Sequence, residues 1–327
     1  MNLAPKPFLY LPGTASPTSP SVSDLLAQHY TADEIGGPSV FGWHALSLFM
    51  TCERKAYLSM IRKLEQVDQR PGREIGILVH ACLARHYKTG GVETWKPLEI
   101  VEGDYPEMAH ETRRILAALF AKHGEEEAQT WDIRAVEHAV TAKIRGIGTE
   151  GPFAGMRISC PISCRFDLIV ALKKPEDAPG PLGLVETGVY IVDHKTTSSI
   201  SRTSLTGYSL DGQILMNCLI WRLAKLDKVF GPLKGFIVNI IAKTKEIRVE
   251  RLRIATTEED LDRFIAMIRP KVLEAWSRLH APHKRNESRW PMNLTSCRTG
   301  FGTLCDYFDY CESHGRAGSL YKIKGSR

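Results

Sequence analysis

The sequence predicts an α/β domain, a small central sheet under helical cover. Three observations lead there. Over the front third of the chain, apolar residues recur at three- and four-residue spacing, the pattern of helices with one buried face. The middle carries short alternating or β-branched runs, and two more such runs follow a strongly apolar helix. A long amphipathic helix and a cysteine-bearing tail close the order, with no internal repeat. Helices, strands, a helix, two strands and a helix is the order of a layered domain built on a mixed sheet.

Composition sets the bounds. With 327 residues the chain holds core enough for one large domain or two small ones, and 43% apolar with 24% charged residues is ordinary for a soluble protein. No apolar run reaches transmembrane length, and residues 1–20 lack the basic flank and unbroken apolar stretch of a secretory leader. The expected compartment is therefore the cytoplasm. In that reducing setting, eight cysteines in so long a chain suit metal or free thiols better than disulfides. A net charge of +6 permits a polyanionic partner without demonstrating one.

Taken in order, residues 1–38 are rich in Pro, Ser and Gly and read as a loosely structured arm, with one helical candidate at 23–29. From Gly42, residues Ala45, Leu48, Phe49, Cys52, Ala56 and Tyr57 mark one buried helical face. A second helix over 73–87 carries Ile75, Val79, Cys82 and Leu83 on its stripe and stops at Gly90 and Gly91. A third covers about 107–123. Strand patterns follow at 136–147, 156–160, 165–172 and 189–193, interrupted by the loop KKPEDAPGPLG. The apolar helix spans 211–226. Residues 235–241 and 247–254 read as a hairpin or adjacent strands, and 257–279 as an amphipathic helix capped by Thr256 or Thr257 ahead of acidic residues.

Two of the strand patterns place an aspartate inside or at the end of an apolar run. CRFDLIV sets Asp167 inside an apolar run, and IVDHKTTSS sets Asp193, His194 and Lys195 at the end of another. A carboxylate in an apolar strand is costly unless it is paired or metal-bound. Asp193 and Lys195, two apart, point to one face of an extended strand, while His194 points to the other. Asp167 on a neighbouring strand can join the first pair. Carboxylates beside a fixed cation suit Mg2+ or Mn2+ and the hydrolysis of a phosphodiester, in which the metal activates water and the lysine adds a positive contact. A structural Asp–Lys pair at a strand end is the plainer reading of the same residues.

Four cysteines stand apart: Cys52 near the front, and Cys297, Cys305 and Cys311 in SCRTGFGTLCDYFDYC. Together they can complete a four-thiolate iron–sulfur or zinc site. Such a site closes nearly the whole domain into one loop, a constraint on the order of 5 kcal/mol. Cys82, Cys160, Cys164 and Cys218 lie in apolar surroundings and read as small core residues. The Cys160 and Cys164 pair, beside Asp167, is a rival metal candidate.

In their order along the chain these residues resemble the PD-(D/E)XK nuclease superfamily. Asp167 followed by Asp193-x-Lys195 looks like its core. GILVHACL resembles the helix that carries a metal-binding histidine in RecB- and AddB-type members, which falls on His80. DGQILMNCLIWRL resembles the helix after the active-site lysine, whose glutamine falls on Gln213. Where that helix often has a tyrosine, this chain has Asn217. SLFMTCERKAYL resembles the segment of the first cluster cysteine, and the tail resembles the other three. Seven residues part Cys297 from Cys305 where two are usual, before the usual five, as in phage-encoded relatives. The resemblance spans roughly residues 42–311 and extends to CRISPR-adaptation nucleases.

It implies a restriction-endonuclease-like core, with residues 39–327 as one nuclease domain closed by an iron–sulfur clasp. His80, Asp167, Asp193 and the His194 backbone carbonyl would hold one or two Mg2+ or Mn2+ ions. Lys195 would position or polarise the attacking water, and Gln213 would orient Lys195 or a phosphate. Cys52, Cys297, Cys305 and Cys311 would hold a 4Fe-4S cluster, with zinc as the alternative, and Arg54, Lys55 and Tyr57 would couple the cluster to DNA. The implied activity is an exonuclease acting on DNA ends or single strands. The chain lacks a G-x-x-x-x-G-K-[ST] loop, so any helicase or recombination partner would be a separate protein. The rival from another class is a non-catalytic DNA-binding or assembly subunit that keeps the fold. A nuclease directed at RNA or at branched structures is a third reading.

Overall fold

A computed structural model of the chain describes residues 20–31, 34, 41–66, 71–148, 151–173, 187–297 and 304–323. Its main elements are α1 (Trp43–Thr51), β1 (Leu64–Gln66), α2 (Pro71–Thr89), α3 (Pro106–Thr130), β2 (Trp131–Ile147), β3 (Arg157–Leu172), β4 (Gly188–Thr197), α4 (Gly212–Ala224), β5 (Leu233–Ala242), β6 (Arg248–Ile254), α5 (Glu258–His280) and β7 (Tyr321–Ile323). Five strands form the small mixed sheet the sequence predicts, in the order β2-β3-β4-β5-β6. Only β4 and β5 run parallel, and the chain between them contains α4. β5 and β6 are the expected hairpin. No described helix is long and apolar enough to cross a membrane.

Helices cover both faces of the sheet, which explains the continuous apolar runs of its central strands. In β5, Phe236, Val238 and Ile240 join a core with Leu46 and Phe49 of α1, Ile214 and Leu219 of α4, and Phe264 and Ile268 of α5. Ile237 and Ile241 of the same strand join a second core with Leu78, Val79 and Leu83 of α2 and Ile115, Leu116 and Leu119 of α3. Cys82, Cys160, Cys164 and Cys218 are buried as small core residues, and the Cys160–Cys164 pair sits in the first core.

The elements differ from expectation in several places, first at Cys52, where an extended backbone (φ −161°, ψ 115°) breaks the expected front helix between Thr51 and Glu53. The third helix runs on through Gly124 to Thr130. The two strand patterns at 156–160 and 165–172 are one strand that passes through Pro161. The Ser163 amide donates to the Phe41 carbonyl at 3.0 Å, away from β2, so the nitrogen of Pro161 lies on that same outer edge and breaks no ladder bond. Of the expected arm, the piece described forms a helix, Val22–Leu26, inside a Ser21/Asp24 capping box, and Val22 and Leu26 are fully buried in the second core. Residues 1–19, most of the loop KKPEDAPGPLG and the end of the basic tail lie outside the described residues.

The tail docks back on the front. β7 pairs with β1, the Tyr307 hydroxyl donates to the Leu64 carbonyl at 2.7 Å, and buried Trp290 packs on Phe49 and Tyr57. α4 is seated from the same side. Asp211 caps it by accepting from the amides of Gln213 and Ile214, and Gly212 lies so close to Trp43 that a Cβ would fall within the indole ring. Gly212→Ala should therefore cost about 1–3 kcal/mol by overpacking, read as a lower urea midpoint. Gly207→Ala, where a Cβ meets nothing within 4 Å, should leave the midpoint in place.

Candidate active site

Asp167, on β3 just beyond the last residue paired to β4, is the centre of the site. Its Oδ2 accepts the backbone N–H of His194 at 2.9 Å and lies 3.3 Å from Nδ1 of His80 on α2. Opposite it on β2 stands Glu137, between the registered pairs Val136–Leu168 and His138–Phe166. Glu137 has φ of 53°, a left-handed conformation rare for a residue inside a strand and of a kind that concentrates at functional sites. That departure from strand geometry goes with a buried carboxylate beside the other two groups. One donor atom each from His80, Glu137 and Asp167 lies within 4.8 Å of the others.

The second half of the site is a closed ring of hydrogen bonds. Lys195 Nζ lies 3.1 and 2.9 Å from the two oxygens of Asp193. The same ammonium donates to Gln213 Oε1 at 2.9 Å, and Gln213 Nε2 donates to Asp193 Oδ1 at 3.0 Å. A donor on one side and an acceptor on the other fix the orientation of the Gln213 amide. The expected residues thus fall into two linked groups. Asp193, expected among the metal ligands, is held by Lys195 and Gln213, while Glu137 completes the donor group with His80 and Asp167. Sequence reasoning missed Glu137. In strict alternation with Val140, Ala142 and Ile144, Glu137 falls with Thr141 and Lys143 on the outward face, so its burial is not visible in the sequence.

The four separated cysteines line one pocket, with Lys55, Met292, Ser296, Tyr307 and Phe308. Among the described residues they do not form a group as tight as the one around Asp167. Four thiolates on a tetrahedral zinc, at about 2.3 Å each, would lie roughly 3.8 Å apart. Burial and the thiols of its neighbours raise the Cys297 thiol, and burial pushes Cys311 up to about 11. Such crowding is relieved when the thiols give up their protons to a cationic centre. The three residues expected to couple this centre to DNA are engaged internally. Arg54 pairs with Glu287 and donates from Nε to the Trp290 carbonyl at 2.8 Å. Lys55 pairs with Asp306 at 3.3 Å, and buried Tyr57 donates to the Arg285 carbonyl at 3.0 Å.

The sequence model of the PD-(D/E)XK nuclease superfamily matches residues 43–312. The chain belongs to that superfamily. Among solved structures it is similar to one from Eubacterium rectale that carries the name "Putative exonuclease", at 14% identity and a TM-score of 0.41, over 70% of this chain and 79% of that one. It is also similar to the protein SSO0001, at 13% identity and a TM-score of 0.26, over 64% of this chain and 94% of that one. No curated protein matches it significantly.

Behind this nuclease-family site a buried network holds His194. Arg251 Nε donates to Asn239 Oδ1 at 2.7 Å, which turns the amide nitrogen of Asn239 toward His194 Nδ1 at 3.2 Å. Nδ1 is then the acceptor, and the ring is the neutral Nε2–H tautomer, consistent with burial pushing its pKa down to about 3. Arg251 pairs with Glu126 and Glu127 and lies over Trp131 at 4.7 Å, while the Tyr87 hydroxyl donates to Glu127 at 2.8 Å. The imidazole faces away from Lys195, as expected, and stacks on Tyr87.

Burial opposes every charge in the site, and neighbours decide the outcome. It would lower His80, but the charge and hydrogen bond of Asp167 lift the imidazole to about 9. It would raise Asp167, yet His80 chiefly, with Lys195 adding, holds that carboxyl well below the usual range. Glu137 is pushed up to about 8 by burial and by the charge of Asp167. Asp193 is raised by burial despite Lys195. Lys195 would be lowered by burial, but Asp193 and Asp167 raise it, so it stays a cation.

One imidazole and two carboxylates are a donor set that fits Mg2+ or Mn2+. With no metal bound, His80 and Glu137 hold protons more tightly folded than unfolded. Their contribution to stability is complete below 6.5 and 4.5 respectively, and is lost as the pH rises through about 9 and about 8. The melting temperature of chelator-treated protein should thus fall between these limits, and Glu137→Gln should flatten the part below pH 8. Added Mn2+ should raise the melting temperature more at higher pH, because it takes the place of those protons. A metal-free melting temperature that climbs over the same range would contradict the assignment.

Proposed function

We propose that this superfamily member is a metal-dependent DNA nuclease, an exonuclease acting on DNA ends or single strands. The observation that carries the reading is the joining of two groups through one peptide. A hard-donor cluster of His80, Glu137 and Asp167 is tied by the His194 N–H to the strand that bears Asp193 and Lys195, which Gln213 of α4 joins in a ring. Neither a plain structural Asp–Lys pair nor a decayed site calls for a third buried acid at a strained strand position.

In this reading His80, Glu137 and Asp167, with the His194 carbonyl, hold one or two Mg2+ or Mn2+ ions. A metal bound there would supply a lowered pKa for the attacking water and a counter-charge to the reacting phosphate. Lys195, kept cationic by Asp193, contributes a fixed positive donor to that water or to a phosphate oxygen and does not act as the base. Gln213 positions Lys195, and Asp193 holds both. The network behind His194 keeps that residue in place, so that its N–H and its own carbonyl keep their directions.

The four cysteines, which line one pocket, are proposed to hold a 4Fe-4S cluster, with zinc as the alternative. The cluster fastens the front helix to the tail, and breaking it costs folding before chemistry. Residues 39–327 would then act as one nuclease domain, alone or beside a separate helicase or recombination protein.

Lys195→Ala should lower cleavage of single- and double-stranded DNA with Mn2+ by about 100- to 1000-fold, the cost of removing one donor aimed at developing charge, with DNA binding retained. Equal cleavage by wild type and variant would refute the catalytic reading and leave a DNA-binding subunit. Protein purified without oxygen should be brown and carry iron. Cys305→Ser should bleach it and lower its melting temperature, whereas colourless protein with stoichiometric zinc would overturn the cluster.

A further inference from the structure

β2 and β3 form a ribbon longer than the sheet they belong to. β3 pairs with β4 only from Leu168 to Leu172, yet it pairs with β2 as far as Ile147 and Arg157. Among the described residues no third strand pairs with β3 beyond Asp167, where its outer edge meets only the Phe41 backbone, at Ser163. One of its faces is core: Val140, Ala142, Ile144, Cys160, Ile162 and Phe166 pack in the first core. Side chains alternate along a strand, so the intervening residues form the opposite face. That face carries Lys143, Arg145, Arg157 and Arg165 among Ala, Thr, Ser, Pro and Ile, and no carboxylate.

The placement of these cations is not explained by stability. Lys143, Arg145 and Arg157 are exposed, and among the described residues none of the three makes an ion pair. Their cross-strand partners are Pro161, Ser159 and Ile147, so no acid is set opposite them, as it would be in a ladder stabilised by charge. Like charges gathered on one sheet face repel, and an external polyanion removes that repulsion. The inner end of the row is tied to the site itself: the Arg165 guanidinium donates to the carbonyl of Glu137 at 3.1 Å.

We propose that this outward face of the β2–β3 ribbon is a phosphate track that holds the DNA leading to the active site. The proposal rests on the nuclease reading and deepens it. At about 3.3 Å per residue, Lys143 stands roughly 20 Å from Asp167 and Arg157 roughly 33 Å. The latter is the rise of about ten nucleotides of one strand at 3.4 Å each. The track offers cations and the exposed hydroxyls of Thr141 and Ser159, groups that contact phosphate and sugar, and its pull on the phosphates is independent of sequence.

The test is the variant Lys143→Gln/Arg145→Gln/Arg157→Gln, which leaves Arg165 and every site residue in place. Binding to a labelled strand and duplex of about thirty nucleotides, three times the length that ten residues of ribbon span, is followed by anisotropy without divalent metal over a salt series. The variant should bind at least about 10-fold more weakly at low salt, and its slope of log affinity on log salt should fall by about 2–3. Each single substitution should remove roughly one unit of slope or less. With Mn2+, KM for the long substrate should rise while kcat holds. Cleavage of an oligonucleotide of about five nucleotides, too short at 3.4 Å each to reach Lys143, should not change. Wild-type affinity and slope in a normally melting variant would overturn the track alone. A wild-type protein that binds neither DNA at low salt would overturn the track and the nuclease reading together.

Discussion

An ionised carboxylate at the junction of two strands and a helix is the constraint around which this protein is arranged. Asp167 sits where β3 leaves β4, and taking its charge out of water is unfavourable by several kcal/mol unless partners replace the solvent. The protein supplies them from three directions: the His194 amide from β4, the His80 imidazole from α2, and the field of Lys195 from the far side of the same strand. Each partner is itself fixed. His194 is held by Asn239 and, through it, by Arg251 and the acids of α3. Lys195 is held by Asp193 and by Gln213 on a helix whose cap and close glycine set its start.

The same constraint accounts for the proton balance. A second buried acid beside Asp167 cannot ionise freely, so Glu137 keeps its proton to about pH 8, and His80 keeps one to about pH 9 to answer Asp167. A divalent cation would satisfy all three groups at once. The cysteine pocket gathers four thiols between the first helix and the tail. The ion pairs of Arg54 and Lys55, the hydroxyl of Tyr57 and the buried Trp290 hold the same two segments together around it.

Much of this was legible in the sequence, for definite reasons. The central strands showed themselves because strands buried on both faces must be apolar throughout, and Asp167 and Asp193 stood out against them. The hairpin of β5 and β6 and the helix on Asp211 followed from local chemistry. His80 and Gln213 were found through family resemblance, since a histidine or glutamine on a helix carries no signal of its own. Glu137 was missed because its left-handed backbone breaks the alternation that would have placed it. The anchoring role of Asn239 was also missed, although a polar residue inside FIVNII is a visible anomaly in a doubly buried strand. The strand through Pro161 was split in two because its lone outer edge cannot be seen without the fold.

The central claim is that His80, Glu137 and Asp167 form a divalent-metal site. Mn2+ binding, followed by loss of the free-ion electron paramagnetic resonance signal, tests it most directly in wild type and Asp167→Asn. The account predicts saturable binding of one or two ions to the wild type and its loss in a variant that still folds. Equal binding by both proteins, or no binding by the wild type at neutral pH, would contradict it.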